Sequence, residues 1–159
     1  MVKQKEEIIE IIVQLVASLS ADEKQKVLDI LLEKKEGLPI SIFRSKLSGL
    51  ETIVVYLKDI KGKSVAEIAQ LLNRKKSTLY TTYHKAKEKF SGRLDASDES
   101  VVVPPGIFAD RKYAVLESMV AYLKDEQKLS FAQISILLNK KYSTIRTVYV
   151  RYLKKNGSK

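Results

Sequence analysis

Apolar residues recur three and four positions apart through most of the chain, the spacing of one buried helix face, and no stretch shows the strict alternation of a half-buried strand. In the first segment Ile8, Ile9, Ile12, Val13, Val16 and Leu19 form one such stripe, and Val27, Leu28, Leu31 and Leu32 form a second. Ser20 followed by Glu23 has the spacing of a capping box that opens the second helix, and Gly37 is placed to stop it. Residues 1–37 therefore predict a helical hairpin. Two helices with such wide stripes cannot cover each other's apolar surface, so the hairpin is expected to pack on the next segment or on a second copy of the chain.

The rest of the chain repeats itself. Leu50-Glu-Thr-Ile-Val-Val-Tyr-Leu-Lys-Asp59 matches Leu116-Glu-Ser-Met-Val-Ala-Tyr-Leu-Lys-Asp125, and Ser64-Val-Ala-Glu-Ile-Ala-Gln-Leu-Leu-Asn73 matches Ser130-Phe-Ala-Gln-Ile-Ser-Ile-Leu-Leu-Asn139. Ser77 to Tyr83 matches Ser143 to Tyr149 in the same register, and Pro39 to Phe43 resembles Pro104 to Phe108 with one residue less of offset. Each copy reads as a long helix, a short helix, a tight turn and a further helix. Between the copies, Ser91 to Ser100 is small, polar and acidic without an apolar period, as an exposed linker would be. The expected architecture is all-α: a hairpin over 1–37, a first helix-turn-helix unit over 38–90, a linker over 91–103 and a second unit over 104–159. Such a linker, about 20 Å from end to end and extensible to about 50 Å, would let independent units meet adjacent major grooves about 34 Å apart, as a direct pair of half-sites.

Within each copy the short helix has its own start and stop. Ser64 with Glu67, and Ser130 with Gln133, are capping pairs, while Asn73 and Asn139 stand where the helix must end in a left-handed residue. Ile68, Leu71 and Leu72, like Ile134, Leu137 and Leu138, supply one apolar face. In the following helix Leu79 and Tyr83, or Ile145 and Tyr149, point inward at a four-residue spacing. The outward set is basic, hydroxylic and aromatic: Arg74, Lys75, Lys76, Ser77, Tyr80, Thr81, His84 and Lys85 in the first copy, then Lys140, Lys141, Tyr142, Ser143, Arg146, Thr147 and Arg151 in the second. A major-groove reader needs this combination, with bases and amide groups on phosphate and the first outward side chains on base edges. Ser77 and Thr78 are equally placed to cap the helix instead.

Charge points the same way. The chain carries a formal net charge of +10, and since residues 1–37 hold slightly more acids than bases, the whole excess lies beyond them. With no cysteine and a single histidine, His84, the sequence offers no thiolate site, disulfide or histidine metal cluster. It shows no glycine-rich phosphate loop or nucleophile elbow, so no enzymatic activity, metal or cofactor is expected. Glu51 and Glu117 recur at equivalent positions and suggest salt bridges to the basic turns. No secretory signal or membrane span is evident, which makes the cytoplasm, with association to the nucleoid, the expected location.

Ser64-x-x-Glu-Ile-Ala-x-x-Leu-Asn73, a short turn and Ser77-Thr78-Leu79 resemble the helix-turn-helix of the fourth conserved region of bacterial sigma factors. The resemblance covers Leu47 to Phe90 and, more loosely, Tyr113 to Lys154. Where that family usually carries glycine and a capping Ser or Asp in the turn, this chain has Asn73 and Lys75. The resemblance implies double-stranded DNA as partner, a role in transcription control or DNA architecture, and contact with RNA polymerase or another transcription protein. It does not extend to the regions that melt promoters. The alternative is an adaptor that grips a protein of the transcription or replication machinery and uses its basic surface as a helper, and a homodimer through the hairpin is compatible with either.

Overall fold

The computed structural model describes residues 2–32 and 37–157, which form two compact units divided at Glu36/Gly37. In the first, α1 (Val2–Ala17) and α2 (Ala21–Leu32) flank a turn in which the Ser20 amide donates to the Glu23 carboxylate at 2.9 Å and the Glu23 amide donates to the Ser20 hydroxyl at 3.3 Å. The capping box thus sits where its spacing implies. Val16, Leu19 and Val27 are half-buried, while Ile8, Ile9, Ile12, Val13 and Leu28 stay exposed. Residues 33–36, between Leu32 and the stop expected at Gly37, lie outside the described residues, as does the side chain of Leu32.

The second unit starts with β1 (Leu38–Pro39) and a 3₁₀ turn over Ile40–Arg44. Helix α3 (Gly49–Val55) continues into a π turn at Tyr56–Ile60, followed by α4 (Val65–Leu72) and α5 (Lys76–Lys89). The same order then returns as β2 (Val102–Val103), a 3₁₀ turn over Pro105–Phe108, α6 (Val115–Ala121) with its π turn at Tyr122–Glu126, α7 (Phe131–Leu138) and α8 (Tyr142–Gly157). Among the described residues the fold is all-α apart from one short antiparallel pair, which strand alternation could not announce because each strand is two residues long.

Local chemistry explains the repeated boundaries. Ser64 and Glu67 complete a capping box on α4, as Ser130 and Gln133 do on α7, and both helices end at a left-handed asparagine, Asn73 and Asn139, each at φ 49°. Helix α3 opens with a further box, Ser48 and Glu51, whereas in α6 an alanine, Ala114, replaces the serine and only the bond from its amide to Glu117 remains, at 2.9 Å.

The two helix-turn-helix units are not independent bodies. Val103 and Leu94 of the segment expected as an exposed linker are buried, at 0% and 4% exposure, and Asp98 ties that segment to Arg44 by an ion pair of 2.8 Å. Helix α4 packs on the 3₁₀ turn of the second copy, and α7 packs on the 3₁₀ turn of the first. One core therefore serves residues 37–157, with Leu38, Ile40, Ile42, Ile68, Leu72, Val103, Leu123 and Ile134 fully inaccessible. The sequence signal for a linker is a run of small polar residues, and such a run can equally lie flat on a core that receives one leucine from it.

Equivalent residues meet each other across this interface. Leu38 pairs with Val103 in the strand ladder, the rings of Phe43 and Phe108 lie 6.3 Å apart, and Gly49 abuts Val115. Contacts between corresponding residues, together with the reciprocal packing of α4 and α7, are the mark of an isologous interface, so the two copies are related by an internal pseudo-two-fold axis.

Candidate nucleic-acid interface

Each helix-turn-helix is braced by the same polar links. Tyr83 of α5 donates to Asp59 in the π turn at 2.7 Å, and Tyr149 of α8 donates to Asp125 at 2.8 Å. Both tyrosines are thus inward-facing and engaged, as their spacing predicts, and the carboxylate at each raises the phenol above its ordinary pKa. Lys89 at the end of α5 reaches Glu51 at 2.7 Å, and Lys155 at the end of α8 reaches Glu117 at 2.7 Å. Burial pushes both glutamates towards the neutral form, but the lysine, with the amide at the helix start, outweighs it and holds each below the ordinary carboxylate range. The salt bridges expected of Glu51 and Glu117 exist, yet their partners lie at the far end of the following long helix and not in the basic turn. The sequence carried the clue, since Glu51 and Lys89 recur with identical spacing as Glu117 and Lys155.

These links present the outward face of α5 to solvent. Lys75, Lys76, Ser77, Tyr80, Thr81, His84 and Lys85 lie on it and are all exposed, with half of the Tyr80 surface open. Lys75 occupies the cap position of α5 and makes no side-chain capping bond, so Ser77 belongs to the first turn and is not the cap. The amides of that turn consequently face outward beside two lysines, a favourable place for a phosphate. Arg74 differs from its neighbours. It is half-buried, its Nε has no protein partner, and burial together with the positive charge of Arg111 lowers its pKa. Arg111 thus lies near enough to act electrostatically on this turn, which no local reading could reveal because it comes from the other copy.

On α8, Tyr142, Ser143, Arg146, Thr147 and Arg151 are exposed, as are Lys140 and Lys141 before it. Thr81 and Thr147 donate to the carbonyls of Ser77 and Ser143 at 3.1 Å and 2.8 Å, leaving their oxygens as acceptors. The two faces differ in their outward residues: Tyr80 corresponds to Arg146, His84 to Val150, and Lys76 to Tyr142. Among the described residues there is no cluster of three or more His, Asp or Glu able to hold a metal ion, and no helix is long and apolar enough to cross a membrane.

A short capped helix, a left-handed turn and an exposed basic helix braced by a third helix define a helix-turn-helix, a fold class that serves DNA binding. Residues 45–90 match the family model described as sigma-70, region 4, which spans α3 to the end of α5 and places a DNA-binding, transcription-related module in this part of the chain. No curated protein and no solved structure matches the chain.

Proposed function

We propose that the protein binds duplex DNA without catalysing a reaction on it, acting as a transcription regulator or architectural factor with α5 and α8 as its two recognition helices. The observation that carries this reading is the exposed, uncapped and lysine-flanked start of α5 within the segment that matches the sigma-70 region 4 family. The second helix enters by its equivalent place, its basic approach through Lys140 and Lys141, and Arg146, a residue type suited to bidentate contact with guanine. Phosphate contacts from both basic turns would give affinity, and Tyr80 and Arg146 would give preference.

The apolar faces of α1, on which no residue is buried, support self-association of the hairpin into a homodimer. RNA polymerase is a candidate partner by analogy with the matching family, and a nucleoid-associated place in the cytoplasm follows from DNA as ligand. Titration of the full chain against random-sequence duplex at about 50 and 200 mM salt tests the main reading, because neutralising several phosphates makes affinity fall steeply with salt. Weak binding with a flat salt response would favour the adaptor that grips a protein partner. Sedimentation of the chain before and after Ile12→Asp tests the dimer, which predicts a halved mass for the variant.

A further inference from the structure

The pseudo-two-fold axis bears on how DNA would be read. Two units on a flexible tether can approach a duplex in the same sense, giving direct half-sites with loose spacing. Units locked by an isologous interface cannot. The lock here is extensive: Leu38 opposes Val103, Phe43 touches Phe108, Gly49 meets Val115, and each short helix packs on the 3₁₀ turn of the other copy. Any rotation of one unit against the other would break the strand pair and expose a core that contains Ile40, Ile42, Leu72 and Phe108.

We propose that a single chain recognises an imperfect inverted repeat, α5 reading one half-site and α8 the other in the opposite orientation, at one fixed separation. The inference rests on the DNA-binding reading above and adds to it the geometry of the site. B-DNA has local two-fold axes perpendicular to its length, and a protein whose recognition helices are exchanged by a two-fold axis meets both grooves only by sharing one of them. In helix-turn-helix proteins this axis usually relates two chains. Here it lies within one, so the repeat need not be symmetric in sequence. The half facing α8 is read by Arg146, with Arg151 further along the same helix, and the half facing α5 is read by Tyr80 with His84. Arg146 favours guanine through its N7 and O6, while Tyr80 offers one hydroxyl and an aromatic face, so the stronger base preference belongs to the α8 half.

The test uses the full chain. Sites are selected from a randomised duplex library, and the best one is re-measured with every base pair changed in turn, against the wild type, Tyr80→Ala and Arg146→Ala, with the mass of the complex giving the number of chains. Both substitutions are on exposed side chains, and thermal melts check that folding is retained. The expected result is two half-motifs in inverted orientation, Arg146→Ala flattening preference in one half only and Tyr80→Ala in the other. Insertion of two base pairs between the halves should cost about 100-fold in affinity, the order of the avidity lost when one of two linked contacts is abandoned. Half-motifs in direct orientation, tolerance of the insertion, or a single half-motif would overturn the inference while leaving DNA binding intact. So would a substitution that affects both halves equally, which would mean two chains each using one unit. Failure to bind any duplex with a steep salt response would instead remove the DNA-binding reading itself, and this inference with it.

Discussion

Gly49 and Val115 occupy the same place in the two halves of residues 37–157, and they touch: a Cβ built on Gly49 would stand 2.5 Å from Cγ1 of Val115. A side chain fits there only if Val115 or the helices shift. Gly49→Ala should therefore destabilise the unit by about 1–3 kcal/mol, the usual cost of overpacking, even though alanine is the better helix former. Urea unfolding checks it, and a stabilised variant would show that Val115 can yield.

A shared core makes a mutation in one copy felt by both. Leu72 is fully inaccessible, and Leu72→Ala should cost about 2–5 kcal/mol. Residues 37–157 should lose that stability in a single transition, with amide exchange accelerated in α7 and α8 as well as in α4 and α5. Protection retained only in α7 and α8 would indicate separable units.

The turn after each π segment holds a left-handed residue, glycine in the first copy (Gly62, φ 68°) and lysine in the second (Lys128, φ 57°). The backbone demand is the same, but only glycine meets it without strain. Lys128→Gly should stabilise the protein by about 1 kcal/mol in thermal or urea melts, and Gly62→Lys should destabilise it by a similar amount.

Acid should weaken the fold through Glu51 and Glu117. Their pKa values are lowered in the folded state, so the stability they contribute is complete above the unfolded glutamate value of about 4.3 and is lost as pH falls through the depressed folded values. Asp59 adds to the same limb, since its bonds to Lys87 and Tyr83 outweigh its burial. Denaturant midpoints measured between pH 6 and about pH 3 should fall, and the double variant Glu51→Gln with Glu117→Gln should show a shallower decline.

If the first turn of α5 contacts phosphate as proposed, its lysines should set salt dependence and not sequence preference. Lys75→Ala with Lys76→Ala should weaken binding to all duplexes and reduce the slope of log affinity against log salt by about 2. An unchanged slope would place these lysines away from the DNA.

The order of residues announces most of the helices and their caps, though not the two-residue strands or the 3₁₀ and π turns. Ser20, Ser64 and Ser130 announce helix starts, Asn73 and Asn139 announce stops, and the repeated apolar triplets mark the inward faces, because caps and helical periodicity act over four residues and leave their trace in the chain order. The exposed faces of α5 and α8 follow by subtraction. How the copies stand to each other is set by packing across the interface. The axis through Leu38 and Val103, the meeting of Gly49 with Val115, the burial of Leu94 and the approach of Arg111 to Arg74 all join residues far apart in sequence. Each copy read by itself looks complete, with its own caps and its own apolar face. Whether that face is satisfied within the copy or across an interface depends on shape and area, quantities that a local pattern of residues does not carry.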